Sequence, residues 1–162
     1  MTEDAPQPAL LLKWLLLRDV RFIVMGSAAA VAHGLERSVG DLDVVYDRAP
    51  DNLPRLVEAL ADLEPYPRGA EPGLDVPWDV ETIEEGYSFI MTTTLGDLDL
   101  FAEISGIGLY EDVLPESVER NLWGAPCRCL SPEQLIHNLK CSGRKKDFAQ
   151  AKAMQKWLDD QE

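Results

Sequence analysis

Residues 25–45 read MGSAAAVAHGLERSVGDLDVV, and they are the most informative part of this chain. An apolar run ends at Gly26, a helix of small residues is predicted from Ser27, and a β-branched strand follows from Asp41. Because side chains alternate along a strand, Asp41 and Asp43 project from the same face. Neighbouring carboxylates repel each other and lose hydration unless a cation lies between them. This pair therefore predicts a cation site.

Patterns on both sides of this segment predict an α/β (α+β) protein, with a mixed β-sheet and flanking helices. The proline- and glycine-rich stretch 64–79 is predicted to be a loop. Residues 131–134 read SPEQ, a capping box that starts a helix, and Gly143 is predicted to interrupt the helical region that follows. The remaining predicted elements are helices over 9–19 and 53–60, strands over 21–25, 41–47, 87–93 and 97–104, and a hairpin over 118–130.

Length and composition favour a single domain. The chain has 162 residues, of which 46% are hydrophobic and 27% charged, as in globular proteins of this size. We expect one domain over residues 1–162, with a core at about 20–110 and a C-terminal hairpin and helical part at about 111–162. The longest apolar run is too short to cross a membrane, and the N-terminus does not resemble a secretory signal. Three cysteines fit a reducing compartment, so a cytoplasmic location is expected.

Charge is distributed unevenly along the chain. The net charge of −14 argues against a protein that coats nucleic acid through bulk electrostatics. Six basic residues and one aspartate nevertheless lie between positions 140 and 156. This segment is either a solvated helix face or an anion site, and the sequence leaves both open.

Further residues extend the candidate site around Asp41 and Asp43. Gly26 lets the backbone approach a ligand at a helix start, and the Ser27 hydroxyl can contact phosphate there, although serine is also a common helix cap. A third carboxylate is available from the strand at 97–104, where Asp97 and Asp99 share one face. A phosphate-binding turn facing carboxylates that hold Mg²⁺ is typical of phosphoryl or nucleotidyl transfer.

These residues resemble a known family. Gly26-Ser27, Arg37 ahead of Asp41-Leu42-Asp43, the run Leu98-Asp99-Leu100-Phe101, and the segment LSPEQLIHNLKCSGRKKDFAQA are similar to the minimal nucleotidyltransferases of the DNA polymerase β superfamily. Within them, the chain is most similar to toxin components of type IV toxin–antitoxin pairs. The resemblance covers about residues 21–158. Val39 and Gly40 depart from the family pattern.

The resemblance implies a nucleotidyltransferase fold whose C-terminal helices close the nucleotide cleft. It implies that Asp41, Asp43 and Asp99 are catalytic and bind metal, with two Mg²⁺ ions expected and Mn²⁺ as the alternative. Asp97 competes with Asp99 for the third position. The implied nucleotide-binding residues are Gly26, Ser27, Arg37, Lys140 and Arg144, with Lys146 and Asp147 matching the rest of the late motif.

The function expected from the resemblance is metal-dependent transfer of a nucleoside monophosphate from a nucleoside triphosphate to an acceptor hydroxyl. The acceptor is left open between an RNA end such as that of tRNA, a protein side chain and a small molecule. A toxin role would add an antitoxin protein as partner. The alternative is a catalytically silent module of the same fold that binds a nucleotide or a partner, and it predicts a carboxylate turned away from the site.

Overall fold

A computed structural model of the chain describes residues 7–161, and its centre is a seven-stranded mixed sheet with strand order β3-β4-β5-β2-β1-β9-β8. A separate two-stranded ribbon pairs β6 with β7. The strands are β1 Phe22–Met25, β2 Asp41–Tyr46, β3 Tyr66–Pro67, β4 Phe89–Thr93, β5 Gly96–Phe101, β6 Glu103–Ile104, β7 Gly108–Leu109, β8 Val118–Leu122 and β9 Ala125–Cys129. The predicted mixed α/β sheet is confirmed.

Helices pack on this sheet and follow its strands. They are α1 Pro8–Leu17, α2 Gly26–Ala32, α3 Leu53–Ala61, α4 Val80–Glu85, α5 Tyr110–Val113, α6 Pro132–Cys141 and α7 Lys145–Asp160, and a 3₁₀ turn covers Leu114–Glu116. The apolar face of α1 contacts β2 and β5 and buries Leu11, Leu12 and Leu15 completely. The buried apolar side chains form one cluster that extends from α1 to α7. No helix within residues 7–161 is long and apolar enough to cross a membrane.

The strand register aligns the acidic residues found in the sequence. β1 and β2 are antiparallel, and Met25 at the end of β1 lies opposite Asp43 near the start of β2. β2 and β5 are parallel, with Asp43 opposite Asp99 and Asp41 opposite Asp97. Because residues two apart share a face, all four carboxylates project from the same side of the sheet. They lie at the end of β1, where α2 begins.

The C-terminal part contains a hairpin and two helices. The hairpin of β8 and β9 turns at Trp123 and Gly124. The capping box forms as expected: the Ser131 hydroxyl accepts from the Gln134 backbone N–H at 3.1 Å, and the Gln134 side chain accepts from the Ser131 N–H at 3.0 Å. Gly143 lies between α6 and α7 with φ of +78°, a left-handed conformation that favours glycine.

The helix and strand boundaries differ in places from the sequence expectations. Residues 64–79, predicted to be a loop, contain the short edge strand β3, which pairs with β4. As predicted from Gly143, the helical region is interrupted: α6 ends at Cys141, so Lys140 and Arg144 do not share one face of a continuous helix. Arg144 instead caps the N-terminus of α7 through its backbone conformation.

Candidate active site

A cavity of about 570 Å³ lies between the sheet and the two C-terminal helices. The sheet side is contributed by β2, β5 and the junction of β1 with α2, and the opposite side by α6, the turn after it, and the start of α7. The lining residues are Met25, Gly26, Ser27, Asp41, Asp43, Ile90, Asp99, Phe101, Glu103, Ser105, Asn138, Leu139, Ser142, Arg144, Lys146, Asp147 and Gln150.

Three carboxylates meet in this cavity. One oxygen from each of Asp41, Asp43 and Asp99 lies within 4.8 Å of the others. Asp99 is buried, and the Oδ1 atom of Asp43 is buried without a hydrogen-bond partner among residues 7–161. A buried, unpartnered carboxylate oxygen is costly unless a ligand satisfies it. Carboxylate oxygens are the donors that Mg²⁺ and Mn²⁺ prefer, so the residues present fit a divalent metal ion.

The electrostatics of the cluster also favour a bound cation. Burial, followed by the charges of Asp41 and Asp99, raises the pKa of Asp43 to about 8. Burial and the charge of Asp99 also raise the pKa of Asp41 above its usual value. Both shifts disfavour the charged carboxylate. A divalent ion would offset this repulsion.

We expect the stability of the metal-free protein to fall as the pH rises from about 5 to about 8. The unfolded Asp43 carboxyl ionises near pH 4, whereas the folded one keeps its proton up to about pH 8. Over that interval the folded state binds a proton that the unfolded state has released, so raising the pH favours unfolding. A Mg²⁺ ion bound here would have to displace this proton, so its affinity should increase with pH. Thermal unfolding with and without Mg²⁺ at several pH values measures both effects. A melting temperature that does not change with pH would contradict the raised pKa of Asp43.

Asp97 forms an ion pair with Arg68 and does not belong to the group of three carboxylates. The Arg68 Nη2 atom donates to Asp99 Oδ1 at 2.5 Å, and its Nε atom lies 3.3 Å from Asp97 Oδ2. The structure therefore groups Asp99, rather than Asp97, with Asp41 and Asp43. Arg68 lies in the predicted loop and was not found by the sequence analysis. Its available signal was an isolated arginine directly after Tyr66-Pro67, which can be interpreted only once β3 is known to lie beside β4.

Gly26 is required at its position for two reasons. Its φ of +65° lies in the left-handed region, and a Cβ atom added there would lie 2.8 Å from Asp43 Oδ2. The backbone thus approaches the carboxylate more closely than any other residue type would allow.

We expect Gly26→Ala to lower stability and to displace the Asp43 carboxylate. The left-handed conformation alone costs an alanine roughly 1–2 kcal/mol. Gly124→Ala is the matched control, because Gly124 has φ of +83° and open space around the added Cβ. Urea unfolding should show a larger loss for Gly26→Ala than for Gly124→Ala, and only the former should weaken Mg²⁺ binding. Equal losses of stability in the two variants would indicate that the Asp43 side chain moves away from the added Cβ without cost.

Basic and hydroxyl groups line another part of the cavity. In the described part of the chain no side chain caps α2, so Ser27 does not serve as a helix cap and its side chain contributes to the cavity lining. The Arg144 guanidinium makes contacts of 2.9 and 2.8 Å with the buried Asp147 carboxylate, which anchors the start of α7. Lys146 is exposed and also lines the cavity.

The structure does not bring every predicted nucleotide-binding residue to this cavity. Gly26, Ser27 and Arg144 line it, whereas Arg37 and Lys140 are absent from the lining formed by residues 7–161. Arg37 borders a different pocket beside α1 and Trp123. Lys140 is an exposed residue of the last turn of α6.

Comparison with known proteins identifies the fold. No protein-family model and no curated protein matches the chain in sequence. A structure from Thermotoga maritima, provisionally assigned as a nucleotidyltransferase, superposes with a TM-score of 0.55 at 16% identity, covering 96% of each chain.

Two further solved structures are similar. ANT(2″)-Ia in complex with adenylyl-2″-tobramycin gives a TM-score of 0.51 at 14% identity, over 92% of this chain and 97% of that one. An antigenic nucleotidyltransferase-like protein from Paracoccidioides brasiliensis gives 0.55 at 16% identity, over 91% of this chain and 72% of that one. The chain therefore has the nucleotidyltransferase fold, and the resemblance stated from the sequence is confirmed at the level of the fold.

Proposed function

We propose that this protein transfers a nucleoside monophosphate from a nucleoside triphosphate to an acceptor hydroxyl, using divalent metal ions. The observation that carries the proposal is the convergence of Asp41, Asp43 and Asp99 in a cavity that also contains Ser27 and the basic start of α7. The fold of the solved structures described above supports the same reaction class.

Each group has a defined task in this reaction. Asp41, Asp43 and Asp99 would hold Mg²⁺, and Mn²⁺ has the same preference for oxygen ligands. Such ions neutralise the negative charge that develops on the attacking and leaving oxygens. Ser27, Arg144 and Lys146 bind and orient the triphosphate, because a hydroxyl and two cations match phosphate oxygens. The acceptor hydroxyl releases its proton to solvent and its oxygen bonds to the α-phosphorus, while the bond from that phosphorus to the bridging oxygen breaks and pyrophosphate leaves.

We favour a small hydroxylated molecule as the acceptor over an RNA end or a protein. The cavity continues from Asp99 to Ile90, Phe101 and Glu103, which form a partly apolar, acidic wall rather than a basic one. The chain carries a net charge of −14, which opposes extended contact with a polyanion such as tRNA. ANT(2″)-Ia, whose fold is similar, is described with an adenylylated aminoglycoside.

A toxin role and a cytoplasmic location, both expected from the sequence, stay predictions. The similarity to toxin components predicts that expression of this chain alone slows bacterial growth and that an antitoxin protein from a neighbouring reading frame relieves it. Unchanged growth would remove the toxin proposal without affecting the transferase proposal. A cytoplasmic location is the second, and localisation of a tagged chain tests it.

A catalytically silent module is the rival proposal. The feature predicted for it, a carboxylate turned away from the site, does not occur among Asp41, Asp43 and Asp99 in the described structure.

The decisive experiment has two stages. Calorimetry with each nucleoside triphosphate, with and without Mg²⁺ or Mn²⁺, tests for metal-dependent nucleotide binding. Incubation with α-labelled triphosphates and separate pools of RNA, protein and small hydroxylated compounds, including tobramycin, then reports the acceptor class. Label in RNA or protein would overturn our choice of a small acceptor. Absence of metal-dependent binding would overturn the proposed function.

A further inference from the structure

Arg68 lies against the acidic face of the sheet, although it belongs to a segment without a recognisable motif. Within the described residues, the ion pairs of Asp97 and Asp99 are both made with this arginine. Its side chain is 31% exposed, compared with 12% for the side chain of Asp99 and 41% for that of Asp97. The guanidinium thus contacts both a buried carboxylate and a more exposed one.

Backbone and side-chain contacts fix the orientation of Arg68. It directly follows β3, and its backbone N–H donates to the carbonyl of Ile90 on β4 at 3.0 Å. The side chain then crosses β4, where Nη2 donates to the Met91 carbonyl at 2.8 Å, and reaches β5. A planar guanidinium held at several atoms has little freedom to rotate, unlike a lysine ammonium.

This orientation has a consequence for which aspartate joins the metal cluster. Asp97 lies opposite Asp41 in the register, just as Asp99 lies opposite Asp43, so strand geometry alone does not distinguish them. Arg68 contacts Oδ2 of Asp97 and Oδ1 of Asp99. Within the described residues Arg68 forms no ion pair with Asp99 Oδ2, so this oxygen would be available to a metal ion held with Asp41 and Asp43.

We propose that Arg68 is a positioning residue that holds Asp99 beside Asp41 and Asp43, keeps Asp97 out of the metal cluster, and neutralises part of the acidic face. The metal-related part of this inference rests on the proposed function. Arg68 acts through Asp99 rather than on the substrate.

Mn²⁺ titration of Arg68→Lys, followed by the paramagnetic resonance signal of free Mn²⁺, tests the positioning. Lysine keeps the positive charge but lacks the planar guanidinium that contacts Asp97 and Asp99 together. Weaker Mn²⁺ binding would therefore report lost geometry rather than a changed charge. We expect the dissociation constant to rise about tenfold, as for other groups that orient metal ligands. Arg55→Lys is the matched control, because Arg55 is exposed and its guanidinium bonds only to the Asp19 carbonyl among the described residues. Wild-type affinity in Arg68→Lys would overturn the proposal.

Asp97→Asn provides a second test, which leaves Arg68 unchanged and so does not require an Arg68 variant to fold. Mn²⁺ affinity should stay within about twofold of wild type in Asp97→Asn and fall by at least about tenfold in Asp99→Asn. Equal losses in the two variants would show that Asp97 is a metal ligand and would overturn the proposal.

A double-mutant cycle in EDTA tests the Arg68–Asp99 contact without metal. Arg68→Gln should lower the urea midpoint of the wild-type chain and have a clearly smaller effect in the Asp99→Asn background. Equal effects would show that Arg68 does not hold Asp99. If the wild-type chain bound no Mn²⁺, the proposed function would fail, and this cycle would still decide whether Arg68 positions Asp99.

Discussion

Asp43→Asn should abolish metal-dependent nucleotide binding and reduce nucleotidyl transfer by at least about a hundredfold. Replacing a residue that only orients a metal ligand already lowers metal affinity or activity by about 10–100-fold, and Asp43 is proposed to be a ligand itself. Asp43 is the member of the cluster with a buried, unpartnered oxygen and with a pKa raised to about 8. Asparagine has the same shape but carries no charge. Calorimetry with Mg²⁺ and a triphosphate measures the loss.

The same variant should gain stability when metal is absent. In wild type, the folded state must keep a proton on Asp43 that the unfolded carboxyl releases, and this lowers stability at about pH 7–8. Asparagine has no such proton, so thermal unfolding in EDTA at this pH should occur at a higher temperature than for wild type. A variant that is more stable but does not bind metal excludes misfolding as the cause. Asp75→Asn, at an exposed position outside the cavity, is the matched control. Full metal binding by Asp43→Asn would contradict the proposed site.

Lys146→Ala should weaken triphosphate binding by about tenfold. Lys146 lines the cavity, and a hydrogen bond to a charged group contributes about 1.5–3 kcal/mol. Because about 1.4 kcal/mol corresponds to a factor of ten in affinity, the lower end of this range gives the expected tenfold loss. Equilibrium titration with a fluorescent triphosphate analogue in Mg²⁺ measures the dissociation constant.

Lys140→Ala tests whether Lys140 contacts the nucleotide, as the sequence predicts, or lies outside its binding site, as the structure indicates. Lys140 was predicted to contact the nucleotide, but it is exposed on α6 and lies outside the cavity lining in the described structure. Its replacement should change the dissociation constant by less than about twofold, like Lys152→Ala on the exposed side of α7. A loss in Lys140→Ala as large as in Lys146→Ala would show that the helices move when nucleotide binds.

The carboxylate cluster could be predicted from the sequence because its geometry follows from strand periodicity. Asp41 and Asp43 lie at the start of β2, and apolar residues after them make a buried strand the only reasonable element. Asp99 is flanked by Leu98 and Leu100, which are fully buried. Alternation then places the acidic side chains of each strand on one of its faces, and the parallel pairing of β2 with β5 brings the two sets together.

Other features depend on contacts that the local sequence does not encode. Arg68 reaches the site because the two-residue strand β3 pairs with β4, and no periodicity can be detected over two residues. The position of Lys140 depends on where α6 ends, and the left-handed Gly143 turns the chain so that Arg144 starts a new helix. The two residues therefore lie on different helices although only three residues separate them in the sequence.

The two edges of the seven-stranded sheet limit how the protein can associate with itself. β3 has only two residues, and one of them is Pro67, which has no backbone N–H to donate. β8 exposes Glu119, Arg120 and Asn121 along its length. Short strands, proline and charged side chains are the devices that block pairing between sheet edges of different molecules. Concentrated samples should accordingly resist fibril formation for as long as the native sheet persists.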